Sequence, residues 1–400
     1  MNAKKLVKTG LLCAGALLAS AAITGTPALA QTAAPLKVGF VLPMSGPFAE
    51  YGMQMLNGAK IYMKHHGDTV AGRKVELIVK DDTGVAPDIS RRSAQELINR
   101  DKVDVLAGFG LSPSAFAVAP LASTAKVPMV VMNAATASIT ERSPYIVRAS
   151  MTLPQGAHAM ALGALKSGIK SVYTIVADYG PGHDAEKQFI KTFTAGGGTI
   201  AGELRTPVKS PDYAPFLQRI RNANPEAVFM FMPAGEQSVG FLKSYEERGL
   251  KAAGIRLIAT GDLTDEYVLE ALGEPALGLV TAFHYSDAHD SELNRRYTAD
   301  YARDYPGVRP NFMSVGGYDG MHLIYEAARK NNGNLGGDAF IAAVKGLAWE
   351  SPRGPVSIDA ETRDIVQNEY LREVKRVNGR LINAEFDVMP AVKDPAKAGL

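Results

Sequence analysis

The sequence predicts an α/β protein built as two doubly wound lobes, and three observations lead there. From Leu36 onward, short β-branched runs alternate with longer amphipathic stretches. That alternation lapses near Tyr145–Pro154 and restarts at Val172. The chain is also 400 residues long, too long for one small core and suited to two domains. Continuous apolar strands separated by helices indicate parallel sheets covered on both faces.

Taken in order, the first series of strands is Lys37–Leu42, Val75–Val79, Val103–Ala107 and Val127–Val131. Helices are expected between them near Tyr51–Lys64, Ile89–Arg100 and Ser114–Ala125. After the break and a helix at Ala157–Lys166, the second series is Val172–Ala177, Thr199–Leu204, Ala227–Met232 and Ile255–Ala259. Its helices fall at Asp184–Thr194, Ala214–Asn224 and Gln237–Arg248. Past Ala282 the pattern changes to helices at Glu292–Asp304, Val315–Lys330 and Ala339–Gly346. Strand-like Pro355–Ile358 and Glu369–Val377 follow, the latter running into a hairpin signal at Val377-Asn378-Gly379. This order requires more than one crossing between the lobes. The expected division is a signal peptide over 1–30, a first lobe of 31–150 with 283–350, a second of 151–282 with 351–390, and a tail of 391–400.

Composition narrows the function. Hydrophobic residues make up 46% and charged residues 21%, which excludes a disordered chain. Lys4, Lys5 and Lys8 open a segment with an apolar run from Leu11 to Ile23, ending in Ala28-Leu29-Ala30. That is the layout of a signal peptide cleaved after Ala30, and export to the periplasm is expected. Without those lysines the balance is 40 positive against 41 negative charges, which gives no reason to expect a nucleic-acid partner. Cys13, the one cysteine, leaves with the signal, so no disulfide supports the fold.

In an open α/β sheet, ligands bind beyond the carboxyl ends of the strands. The residues there are small or hydroxylic. They include Gly110 to Ser114, Asn133 to Thr136, Asp178-Tyr179-Gly180, Pro233 to Glu236 and Gly261-Asp262. Ser112, Ser114 and Thr136 can donate to a carboxylate, and each equally qualifies as a helix cap. Tyr179 can form a flat apolar wall or simply pack beside its turn. Asp262 can accept from an ammonium or a hydroxyl, or cap the helix around Glu266–Leu272.

Catalytic patterns are weak by comparison. Gly180-Pro181-Gly182-His183-Asp184-Ala185 matches a loose dinucleotide fingerprint, but Pro181 stiffens the turn and the chain is exported. Ser167 to Lys170 has an S-x-x-K spacing without its companion motifs in the mature chain. His284, Asp287, His289 and Asp290 match no strong metal-ligand spacing. An exported α/β protein with a cleft and no catalytic constellation reads as a binder. No enzyme activity, metal or cofactor is expected.

Several motifs in order then carry a resemblance: "VGFVLPMSGPFAEYG" (Val38–Gly52), Asp81-Asp82, "LAGFGLSPSA" (Leu106–Ala115), "VPMVVMNAAT" (Val127–Thr136), "YIVRAS" (Tyr145–Ser150) and "ADYGPG" (Ala177–Gly182). The chain resembles the solute-binding proteins of branched-chain amino acid ABC transporters, the leucine-binding, type I periplasmic-binding-protein family. The resemblance implies two Rossmann-like lobes joined by a three-crossing hinge. It also implies a membrane ABC permease as partner and a monomer in solution. Ser112 is similar to the family's hydroxyl donor to the ligand carboxylate. Ala134, Ala135 and Thr136 resemble its second carboxylate-binding segment, Tyr179 its aromatic wall, and Asp262 its acid for the ammonium. A hydrophobic amino acid is the first expectation for the solute. Aromatic carboxylates such as hydroxybenzoates are the alternative, because "SPRGP" (Ser351–Pro355) and "VQNEYLREV" (Val366–Val374) are similar to relatives that bind them. A ligand-sensing module is the second alternative.

Overall fold

The computed structural model describes residues 34–209 and 211–398. The signal segment and its cleavage point lie outside the described residues.

Two sheets organise the chain. The first contains β1 (Leu36–Leu42), β2 (Thr69–Val70), β3 (Arg73–Asp81), β4 (Val105–Gly108), β5 (Met129–Val131) and β6 (Ile146–Arg148), in the order β2-β3-β1-β4-β5-β6. Apart from the short β2 they run parallel, with register Val38↔Leu77 on one side of β1 and Val38↔Val105 on the other. The strand order reverses between β1 and β4, so a crevice opens beyond their carboxyl ends. Helices α1 (Ala49–His66), α2 (Pro87–Glu96) and α3 (Ser112–Ala125) cover this sheet, joined later by α9 (Glu292–Asp304), α10 (Phe312–Lys330) and α11 (Gly337–Val344). Gly58 and Gly317 let α1 and α10 touch backbone to backbone, since a Cβ on either would overlap Ser314 or Met55 of the other helix.

The second sheet contains β7 (Ser171–Ala177), β8 (Thr199–Thr206), β9 (Ala227–Phe231), β10 (Arg256–Thr260) and β11 (Val280–Phe283), parallel to one another. Antiparallel strands β12 (Ala348–Ser351), β13 (Gly354–Ile358), β14 (Ile365–Val377) and β15 (Arg380–Val392) extend it beyond β11. The order β14-β11-β10-β9-β7-β8 reverses between β7 and β9, giving a second crevice. Helices α4 (Leu153–Lys166), α5 (Gly180–Ala195), α6 (Ala214–Ala223), α7 (Glu236–Glu247) and the short α8 (Leu269–Leu272) accompany these strands. β9 is buried along its whole length, as a strand covered on both faces must be. The predicted turn at Asn378-Gly379 has φ of 51° and 82°, the left-handed pair that closes a two-residue hairpin, and it joins β14 to β15 with Val377 opposite Arg380.

The chain passes between the lobes three times: after β6, between β11 and α9, and between α11 and β12. Arg353 is fully buried there. It donates to the Ala149 and Ser150 carbonyls of the first crossing and to Gln367 Oε1 on β14, and it pairs with Asp319 of α10 at 2.8 Å. Trp349 Nε1 donates to the same carboxylate at 2.9 Å. The "SPRGP" segment is therefore a hinge clip.

The candidate ligand slot

The two crevices face each other, and between them lies a narrow cavity of about 20 Å3. The first lobe contributes Tyr51, Gly110 to Ser112, and Asn133 to Ala135. The second contributes Tyr179, Pro181, Phe231, Pro233 and Asp262, while Met151 and Leu153 follow the first crossing. A larger apolar groove lies at the amino ends of β10 and β11, lined by Met160, Tyr245, Leu257 and Leu279. It is on the wrong side of the sheet for an α/β ligand site.

Ser112 is the first residue of α3, and its N-cap, Leu111, has no side-chain acceptor to satisfy the opening N–H groups. A helix start left in that condition favours an anion. The Ser112 Oγ accepts from the Thr136 N–H at 3.2 Å and from the Thr136 hydroxyl at 2.8 Å. With both lone pairs engaged, its hydroxyl hydrogen is left to donate.

Arg148, fully buried at the end of β6, prepares the second anion-binding element. Its guanidinium donates to the carbonyls of Ala134 (3.0 Å), Met151 (3.1 Å) and Thr136 (2.7 Å), and it pairs with Asp364 at 2.9 Å. In a trans peptide the N–H lies opposite the carbonyl, so the Ala135 N–H points away from Arg148. The next alternation shows the same logic: Ala137 N–H leaves the Arg148 side and donates to Asp184 Oδ2 of the other lobe at 2.8 Å.

Tyr179 stacks on Phe231 with ring centroids 6.1 Å apart and planes 18° from parallel. Burial, followed by the nearby Asp262 carboxylate, pushes its phenol pKa upward, so the hydroxyl stays neutral. Asp262 is 4% exposed and accepts from Thr260 Oγ1 at 2.8 Å. Burial raises its pKa to about 6, against the opposing hydrogen bond from Thr260 and the charge of Arg372. The slot thus combines a helix start and a hydroxyl donor, an aromatic wall, and one acid.

Of the predicted site residues, Ser112, Ala134, Ala135, Tyr179 and Asp262 line the cavity. Thr136 stands behind Ser112, bonded to its Oγ. The capping alternatives for Asp262 and Ser112 fail. The helix after Asp262 begins at Leu269 with Val268 as N-cap, and Ser112 lies inside α3. Ser114 is instead buried in a network with Asp82 and Ser90. The four residues weighed as metal ligands go separate ways: Asp287 pairs with Arg309, His289 with Glu385 and Asp290 with Arg295, while His284 is buried at the second crossing. Sequence reasoning missed Tyr51 and Phe231. Tyr51 closes the slot from α1, its hydroxyl donating to the Ala234 carbonyl of the other lobe at 3.0 Å.

Comparison with known proteins agrees with this architecture. A family model described as periplasmic binding protein matches residues 35–380. A Leu/Ile/Val-binding protein homolog from Brucella melitensis is 44% identical over 381 residues, covering 94% of this chain and 97% of the relative. Two crystal structures of ABC-transporter solute-binding proteins come from strains of Rhodopseudomonas palustris. The first, in complex with 3,4-dihydroxybenzoic acid, is 54% identical with a TM-score of 0.88, covering 91% of this chain and 99% of that one. The second, in complex with p-hydroxybenzoic acid, is 45% identical with a TM-score of 0.89, covering 92% of this chain and 100% of that one.

Proposed function

The chain belongs to the periplasmic binding protein family, and from that premise we propose that its solute is an aromatic carboxylate of the hydroxybenzoate class. As a family member it is a non-catalytic solute-binding protein that works in the periplasm with a membrane ABC permease. The observation that carries the ligand assignment is a slot with anion donors at one end, a stacked Tyr179–Phe231 wall along its length and a lone acid, Asp262, at the other. The relatives in complex with hydroxybenzoates, at 54% and 45% identity, weigh in the same direction. The expectation of a hydrophobic amino acid thus gives way to its alternative.

In this reading the carboxylate meets the start of α3, the Ser112 hydroxyl and the Ala135 N–H. The ring lies along Tyr179, and the phenolic hydroxyl donates to Asp262. Thr136 acts through Ser112, and Ala134 through its place on the slot wall. A phenol needs one acceptor, which Asp262 supplies. An ammonium would bring three donors to be satisfied where a phenol brings one. The export signal is removed after Ala30, and the two lobes divide at the three crossings: after β6, between β11 and α9, and between α11 and β12.

Thermal melting of the mature protein tests this. A ligand that binds only the native state raises the melting temperature by mass action. 4-Hydroxybenzoate is expected to do so at concentrations where leucine does not. A shift with leucine and none with 4-hydroxybenzoate would return the assignment to amino acids.

A further inference from the structure

Asn133 lies just beyond β5, lines the slot and is 5% exposed. Its Nδ2 donates to the Gly110 carbonyl at 2.6 Å. That bond sets the amide's orientation, because the flipped form would press two acceptor oxygens together. The Oδ1 is then left buried with no hydrogen-bond partner among the described residues. A buried acceptor without a donor is costly, and native proteins seldom keep one without use.

The other polar groups of the slot already have roles. Ser112 and the Ala135 N–H are donors suited to the carboxylate, and Asp262 is an acceptor on the opposite lobe. Asn133 Oδ1 is a second acceptor, neutral and on the first lobe. A donor that the solute brings would satisfy it. A carboxylate brings none, and a single phenolic hydroxyl is taken by Asp262.

We propose that Asn133 selects aromatic carboxylates bearing a second ring hydroxyl, which donates to its Oδ1. The proposal rests on the hydroxybenzoate reading above and sharpens it from monohydroxy to dihydroxy acids. Being neutral, Asn133 discriminates by hydrogen bonding alone, and its contribution does not depend on pH. A site built to hydrogen-bond a hydroxyl penalises the analogue lacking it, because the acceptor stays unpaired.

Calorimetric titration of the mature protein with benzoate, 4-hydroxybenzoate, 2,4-dihydroxybenzoate and 3,4-dihydroxybenzoate tests the assignment, in wild type and in Asn133→Ala. The wild type should bind one of the dihydroxy acids about tenfold more tightly than 4-hydroxybenzoate, the size of one well-made hydrogen bond. Asn133→Ala should lose that preference, the ratio of dihydroxy to 4-hydroxybenzoate affinity falling from about tenfold to about one whatever the variant does to both affinities together. Equal wild-type affinity for mono- and dihydroxy acids overturns the proposal without touching the hydroxybenzoate reading. A preference that survives in Asn133→Ala does the same. Failure of all four acids to bind overturns both. If the variant does not fold, the wild-type series alone still decides.

Discussion

The hinge and the ligand slot lie side by side between the same two lobes, yet they treat polar groups in opposite ways. At the hinge, buried charges are paired within the protein: Arg353 with Asp319 and Arg148 with Asp364. In the slot, polar groups are neutral or singly charged and face the cavity, with Ser112 and Asp262 each bonded to a neighbouring hydroxyl and Asn133 Oδ1 left without a partner among the described residues. The difference teaches that the hinge ties its charges to the protein itself, while the slot keeps an acid and a neutral acceptor facing a cavity. Charges left unpaired at the hinge would cost folding, whereas hydrogen bonds withheld in the slot become affinity.

The sharpest way to break the comparison is to make the hinge resemble the slot. Arg353→Met leaves the fully buried Asp319 without its cation, and removal of one partner of a buried pair costs about 3–5 kcal/mol. Chemical denaturation should show that loss, with part of it recovered when Asp319→Asn is added. Loss of less than about 1 kcal/mol, the range of exposed pairs, would mean that the Arg353–Asp319 pair does not hold the hinge.

Closure itself is tested by Gly180→Ala. A Cβ on Gly180 would sit 2.6 Å from the Thr136 Oγ1 of the other lobe, next to the Ala137–Asp184 contact. The residue opens α5, where alanine suits the helix, so the unliganded protein should melt within a few degrees of wild type. Affinity for 4-hydroxybenzoate should fall more than tenfold, an effect larger than about 1.4 kcal/mol. Unchanged affinity would show that the lobes tolerate a wider approach.

A smaller effect is expected from pH. Burial raises the Asp262 pKa to about 6, and its ionised form is the better acceptor for a phenol. A solute that hydrogen-bonds to the ionised carboxylate lowers that pKa on binding. Affinity for 4-hydroxybenzoate should therefore be level above about pH 7 and fall as pH drops through the free-protein value of about 6. Benzoate, lacking the hydroxyl, should show a flatter profile. The smallest change should come from Tyr51→Phe, which removes only the hydrogen bond to Ala234. Affinity should drop about fivefold, the range of one net hydrogen bond, and mainly through faster dissociation.

Most strands of both sheets were legible as continuous apolar runs between helices, though β2, β11 and β12 were not read as strands. Nor was β6, since Ile146–Arg148 sits inside the stretch that reads as the break between lobes. β15 was also missed, because an edge strand with Phe386 and Val388 exposed has no clean two-residue alternation. In the slot, Ser112, Ala134, Ala135, Tyr179 and Asp262 were legible by position, each following a strand. Tyr51 and Phe231 were not: one lies on α1 and the other inside β9, outside the segments that follow a strand. Arg148 and Arg353 stood in plain view in "YIVRAS" and "SPRGP". Their work, turning carbonyls out of the slot and clipping the crossings, exists only in the tertiary structure.

The most direct test of an aromatic acid held between the α3 start and Asp262 is a calorimetric cycle. It measures 4-hydroxybenzoate and benzoate against wild type and Asp262→Asn at pH 7.5. The account predicts that wild type prefers the hydroxylated acid by about tenfold, one charge-assisted hydrogen bond, and that Asp262→Asn loses most of that preference while still binding benzoate. An undiminished preference in Asp262→Asn would contradict the account, as would leucine binding to a wild type that ignores both aromatic acids.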